Sequence, residues 1–348
     1  MLLALLTTAL VAGLASLGLT RLAMGLASRL RFIDRPGSEA HKQQAHVVPY
    51  GGGPAMALAL ALGLAAGWMV FSDRPNVVGN AYDRGPLWPI LAGAAILLAL
   101  GVRDDYRALR ALPKLVIQLI VCGVAVAWSD LAIDSLRNVP WLAYGLAWAW
   151  LVVITNAFNL LDHADGLSAG CAVVSCAVLL SGSLLQPDPV LALLWTGLIA
   201  VLSGYLWWNR PPARIYMGDA GSLPVGFLIG CGTLSVTFWP SDGGGSPVAI
   251  AVPLLITAIP IFDTAVVIVK RLRRGNPIMQ GDRNHISHRL RRLGLGPAAT
   301  LVTVVALHTS LAVGALHLRE GGWPVLLQCA AVLLAVILLE TARDHGPG

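Results

Sequence analysis

The chain has 348 residues, 56% hydrophobic and only 12% charged, with a formal net charge of +6. Soluble globular proteins carry about 25% charged residues, so this composition excludes a protein solvated by water and fits one solvated by lipid. The charge then bears on membrane topology and not on nucleic acid, and hydrophobic runs from end to end read as one membrane domain, 1–348, without a soluble appendage.

A bilayer-crossing helix needs about 20 mostly apolar residues. In chain order the predicted spans are 2–26, 52–71, 87–102, 112–128, 139–158, 167–185, 190–208, 221–239, 247–269, 297–318 and 323–341. The fold class is therefore all-α, a polytopic transmembrane bundle of about eleven helices, with ten as the alternative. The first run lacks the basic stretch of a signal peptide; Arg21, Arg29 and Arg31 follow its apolar residues, which predicts a first membrane helix with its N-terminus outside. Trp141, Trp207, Trp208, Trp239 and Trp323 fall near predicted helix ends, as interfacial aromatics do. The five cysteines all lie within apolar runs and read as small buried residues.

The loops after helices 1, 3, 5, 7 and 9 hold 18 of the 24 Lys and Arg. The positive-inside rule places that face in the cytoplasm. The same loops hold EAHKQQAHVVPYGGG (39–53), RDDYRALRALPK (103–114), NAFNLLDHADGLSAG (156–170), NRPPARIYMGDAGS (209–222) and KRLRRGNPIMQGDRNHISHRL (270–290). Asp104, Asp105, Asp162, Asp165 and Asp219 are thus gathered at one membrane surface, where ionisable groups are costly unless paired or hydrated. Carboxylates that converge repel one another, and a hard divalent cation, Mg²⁺ or Mn²⁺, resolves that repulsion. Lys42, Lys114, Arg271, Arg273, Arg274, Arg283 and Arg289 share the face and complete a site for a polyphosphate. The turn Gly218-Asp219-Ala220-Gly221-Ser222 opens the eighth helix, whose backbone N–H groups are expected to approach phosphate.

Each element also has a plain structural reading. The aspartate pair reads equally as solvated loop carboxylates, the basic run 270–274 as a topology anchor, His41 and His163 as surface histidines, and Asn156 and Asn159 as helix-end caps. His285 and His288, three apart, have zinc-ligand character but no evident third and fourth ligand. Ser168 and Ser222 lack a triad. The sorting of every cluster onto one face favours the functional reading.

These five blocks, in order over about residues 39–294, resemble the polyprenyl-phosphate N-acetylhexosamine-1-phosphate transferases, which include bacterial GlcNAc-1-phosphate transferases and phospho-MurNAc-pentapeptide translocases. The resemblance implies an inner-membrane enzyme with a cytoplasmic active site that transfers N-acetylhexosamine-1-phosphate, GlcNAc-1-phosphate foremost, from a UDP-sugar to polyprenyl (undecaprenyl) phosphate, releasing UMP and initiating a cell-envelope glycan. It implies Asp219 and Asn159 as metal contacts, and Asp104, Asp105, Asp162, Asp165 and His285 as catalytic residues. It implies Lys42, Lys114, Asn209, Tyr216, Arg283 and His288 as substrate contacts, with Asn209, Tyr216 and Asp165 at uridine and Arg283, His285 and His288 at the donor's sugar-phosphate. By the same analogy Asp104 is either a base toward the lipid phosphate or a positioning group. A homodimer is also among the implied partners.

Two blocks depart from the pattern. Asp162-His163-Ala164-Asp165 stands where Asp-Gly-Leu-Asp is frequent, and Ser287 stands where a histidine is common. The absence of consecutive histidines argues for a donor without peptide, against the MurNAc-pentapeptide alternative. A secondary transporter is a further alternative, since Asp263 lies within a predicted span, but no internal repeat accompanies it. The spaced motif of the CDP-alcohol phosphotransferases is absent.

Overall fold

The computed structural model describes residues 1–34, 47–72, 87–133, 136–185, 188–235, 251–275 and 285–341. Its helices are α1 (Leu2–Arg29), α2 (Gly52–Ser72), α3 (Trp88–Tyr106), α4 (Ala111–Trp128), α5 (Pro140–Leu161), α6 (Leu167–Leu185), α7 (Pro189–Asn209), α8 (Asp219–Ser235), α9 (Ala251–Ile256), α10 (Ala258–Arg273), α11 (Ile286–Arg292) and α12 (Pro297–Thr341). A two-residue antiparallel ribbon, β1 (Ile33–Asp34) and β2 (Val48–Pro49), is the only sheet among the described residues. Lys42 and Arg283 lie outside the described residues. Among the described residues, seven helices or helix segments are long and apolar enough to cross a membrane: α1, α2, α4, α5, α6, α7 and Pro297–Leu318 of α12. The protein is a multi-pass, all-α membrane protein.

Three differences from the expected spans have physical causes. First, α3 runs one turn beyond residue 102, so the aspartate pair lies on a helix and not in a loop. The turn closes where Arg107 becomes extended, and Arg103 donates back to the Arg107 carbonyl at 2.7 Å. Second, the ninth span is broken at Thr257 into α9 and α10. Pro260 has no N–H for the Ile256 carbonyl and its ring would clash with that carbonyl in a continuous helix. The freed carbonyl accepts from Ser175 Oγ at 2.7 Å, as lipid-embedded backbone requires. Third, α12 continues for 45 residues where two spans were expected. Gly321 and Gly322 cost a helix about 1 kcal/mol each, and neither they nor Pro324 end it.

Packing puts α8 at the centre, against α3 and α5, with α1, α2 and α7 forming one flank and α6, α9 and α12 another. Gly53 and Gly101 permit the closest approach, because a Cβ on either would collide with the backbone at the start of α8. Successive helices from α1 to α8 alternate in direction, while α1 and α7 pack side by side in parallel. The C-terminal ends of α3, α5 and α7 and the N-terminal ends of α4, α6 and α8 therefore meet on one face.

Candidate active site

Residues 104 and 105 are consecutive on α3, so their side chains point about 100° apart and cannot share a task. Asp104 turns toward α4, where Lys114 Nζ lies 3.1 Å from its Oδ2 and the Leu109 N–H donates to its Oδ1 at 2.6 Å. Asp105 turns toward α8 and accepts from the backbone N–H groups of Asp219 at 2.8 Å and Ala220 at 3.1 Å. It is an N-cap delivered from another helix, a favourable place for a carboxylate. Gly218 sits at φ +64 beside it, and a side chain there would strike the Asp105 carboxylate. The expectation that the opening N–H groups of α8 face phosphate is therefore corrected. Asp105 takes those of Asp219 and Ala220, and those of Gly221 and Ser222 bond to the Gly218 carbonyl.

Asp219 is the meeting point. Its Oδ2 pairs with Lys114, and its Oδ1 accepts from Asn159 Nδ2 at 2.7 Å. Asn159 also donates to Ser222 Oγ at 2.9 Å. Burial raises the Asp219 carboxyl above its usual range, against the opposing pull of Lys114. Burial pushes Asp105 up to about 7, helped by the charges of Asp219 and Asp104. At Asp104 burial also pulls upward, but the hydrogen bonds from Asp219, Leu109 and Lys114 outweigh it and hold this carboxyl low. Burial, followed by the charges of Asp219, Asp105 and Asp165, drives Asp162 well up. One ammonium thus serves a group of acids that electrostatics leaves short of positive charge. Oxygen donors with no nearby thiol fit a hard divalent ion; the described free cysteines are buried in helices.

Asp165 accepts from the Ala213 N–H at 2.9 Å and ties the 210–218 loop to the α5–α6 turn. Burial raises its carboxyl. Asn209 is buried with both ends of its amide engaged: Nδ2 donates to the Ile215 carbonyl and Oδ1 accepts from the Gly166 N–H, each at 2.8 Å. Its contacts hold the loop together. Tyr216 belongs to this loop, with its ring 6.0 Å from Tyr50, and it feels the charges of Asp165, Asp34 and Asp162.

A second cluster adjoins the first through the bond between residues 162 and 163. His285 Nδ1 is 2.7 Å from Asp263 Oδ2, and the Ile286 N–H donates to Asp263 Oδ1 at 2.6 Å. The His163 ring stacks on His285 at 4.0 Å and on His288 at 5.4 Å. Asp263, His163 and His285 bring ligand atoms within 4.8 Å of one another, a set able to hold an ion. As arranged it is closed on itself: Nδ1 of His285 is engaged by Asp263, and the rings are stacked only 26° from parallel, so their in-plane lone pairs do not converge. The sequence reading missed the Asp263–His285 pair. Its signal was the single acid within an apolar helix.

The family model for glycosyl transferase family 4 matches residues 87–237. The chain is 34% identical over 331 residues to a glycosyltransferase of Streptomyces coelicolor, covering 92% of this chain and 72% of that one. It is 29% identical to a Bacillus subtilis protein named as an undecaprenyl-phosphate N-acetylglucosaminyl 1-phosphate transferase, over 94% of this chain and 87% of that one. It is also 27% identical to the decaprenyl-phosphate N-acetylglucosaminephosphotransferase of Mycolicibacterium smegmatis, over 83% and 78% of the two chains.

Proposed function

The chain belongs to glycosyl transferase family 4, and from that premise we propose that it transfers N-acetylglucosamine-1-phosphate from UDP-N-acetylglucosamine to a polyprenyl phosphate. An oxygen of the lipid phosphate bonds to the β-phosphorus. The bond from that phosphorus to the bridging oxygen breaks, and UMP leaves with the oxygen and its electron pair. The observation that carries this reading is the acid cluster, with Asp104 and Asp219 on Lys114 and Asp105 and Asp162 near Asp219, built from helix ends that meet on one face.

In this reading Asp219, Asp104 and the amide oxygen of Asn159 would hold Mg²⁺, with Mn²⁺ the alternative. The ion would neutralise diphosphate charge and polarise the phosphoryl oxygens. Lys114, seated between Asp104 and Asp219, is placed to meet phosphate oxygens. Asp104 is held low, which makes it a weak base. The lipid phosphate needs none, because a monoester with a second pKa near 6 is already largely dianionic at neutral pH. Asp104 is therefore a positioning carboxylate. Asp105 fixes the start of α8 and through it Asp219. Asp162, whose carboxyl burial drives up, belongs to the cluster as a catalytic carboxyl. His285, oriented by Asp263, and His288 face the donor's sugar-phosphate, while Tyr216 and the Asp165-anchored loop line the uridine side. The basic face lies in the cytoplasm of the inner membrane, where a water-soluble nucleotide sugar reaches it.

The test is UMP release by the purified protein with undecaprenyl phosphate, Mg²⁺ and a panel of UDP-sugars. The expected result is fastest release from UDP-N-acetylglucosamine and none without divalent ion. Release from UDP-MurNAc-pentapeptide alone would move the chain to the translocase alternative, and no release from any donor would overturn the enzyme reading.

A further inference from the structure

His163 occupies the turn between α5 and α6, beside the acids but bonded to none of them. Its Nδ1 is 2.9 Å from the Leu160 carbonyl oxygen, and its Nε2 is 2.6 Å from Ser287 Oγ. A carbonyl only accepts, so Nδ1 carries the proton. Burial, with the His285 charge next, pushes the ring down to about 3, so the ring is neutral and Nε2 accepts from the Ser287 hydroxyl. Both ring nitrogens are then engaged in holding the ring still. Its faces do the rest, stacking on His285 at 4.0 Å and 26° and on His288 at 5.4 Å and 30°.

We propose that His163 and Ser287 form one positioning unit that sets the ring planes of His285 and His288 in the donor pocket. Positions 163 and 287 are also among the places where the chain departs from the pattern it resembles, with imidazole in place of glycine at one and hydroxyl in place of histidine at the other. The structure puts the two departures in direct contact. In this contact the α5–α6 turn supplies the imidazole and α11 the small hydroxyl partner.

The inference rests on the donor role of His285 and His288 given above. Its test compares wild type, His163→Gly, Ser287→His, the double variant and Ser287→Ala by initial rates of UMP release, with donor and lipid acceptor titrated separately. His163→Gly is expected to raise the donor KM about tenfold, from the loss of both ring stacks and both hydrogen bonds. Ser287→His, which crowds two imidazoles together, should lose as much. The double variant should return to within about threefold of wild type, well short of the product of the single losses. Ser287→Ala is the least disruptive variant and, with one hydrogen bond removed, should lower the melting temperature only slightly. It should raise the donor KM about threefold with the acceptor KM unchanged. General loosening would instead move both KM values and the melting temperature together. Independent losses in the double variant, or an unchanged donor KM in Ser287→Ala, overturn the proposal while wild type remains active. A wild type that releases no UMP removes the donor reading and this proposal with it.

Discussion

The acid cluster and the histidine cluster touch at consecutive residues, Asp162 and His163, yet they are held together in opposite ways. Among the acids, Lys114 bridges Asp104 and Asp219, and burial raises the carboxyls of Asp105, Asp162 and Asp219. Among the histidines, directed hydrogen bonds and ring stacks set the arrangement: Asp263 on His285, Ser287 on His163, and His163 on both other rings, with Arg289 3.9 Å from Asp263. The first arrangement is completed by added positive charge, and the second is complete as it stands. Changes of charge should therefore weigh most on the first cluster, and changes of a ring or of a hydrogen-bonding partner on the second.

The largest expected effect is at Asp219. Asp219→Asn should lower kcat/KM by about 10²–10³-fold without lowering the melting temperature, because it removes a buried charge and keeps the shape. Activity within tenfold of wild type would break the acid side of the comparison. Next comes Asp263→Asn. A charge-assisted hydrogen bond contributes about 1.5–3 kcal/mol, so loss of the His285 partner should reduce the rate by about 10–150-fold. An unaffected rate would make Asp263 an ordinary buried acid and reopen the transporter reading. Asn209→Ala comes third and sharpens the line between scaffold and site. Two buried hydrogen bonds disappear, about 1–3 kcal/mol of stability, and the donor KM of the folded fraction should not change. A raised donor KM at unchanged melting temperature would return Asn209 to the uridine pocket.

The smallest effect is in pH. The His163 ring titrates at 6.5 in the unfolded chain and near 3 in the folded one. Between those values the unfolded chain binds a proton that the folded one does not, so stability falls as pH drops through that window. His163→Gln removes this contribution, and melting temperature in detergent should then fall less steeply below pH 6. Equal slopes for both proteins would argue against a buried, neutral ring.

Much of this was legible in the sequence for reasons that are themselves physical. Apolar runs of bilayer length placed the helices of the bundle, and the alternation of loop charge sorted the polar blocks to one face. What was not legible depended on contacts between distant segments. Nothing local to residues 104 and 105 says that one faces a lysine on α4 and the other caps α8; that follows from α3 continuing an extra turn and packing on α8. Asn209 carries a polar side chain at a helix end, which suits a ligand and a loop staple equally well, and only its two partners decide. The break at Thr257 was foreseeable from Pro260. That Ser175, on α6, would satisfy the freed carbonyl was not.

The central claim is that the acid cluster moves a phosphorylated sugar and not a bare one. Incubation with UDP-N-acetylglucosamine labelled with ³²P at the β-phosphate, undecaprenyl phosphate and Mg²⁺ tests it directly. The account predicts label in the organic phase together with unlabelled UMP, in equal amounts, and neither from folded Asp219→Asn. Label remaining in water as UDP while the lipid gains sugar would contradict it.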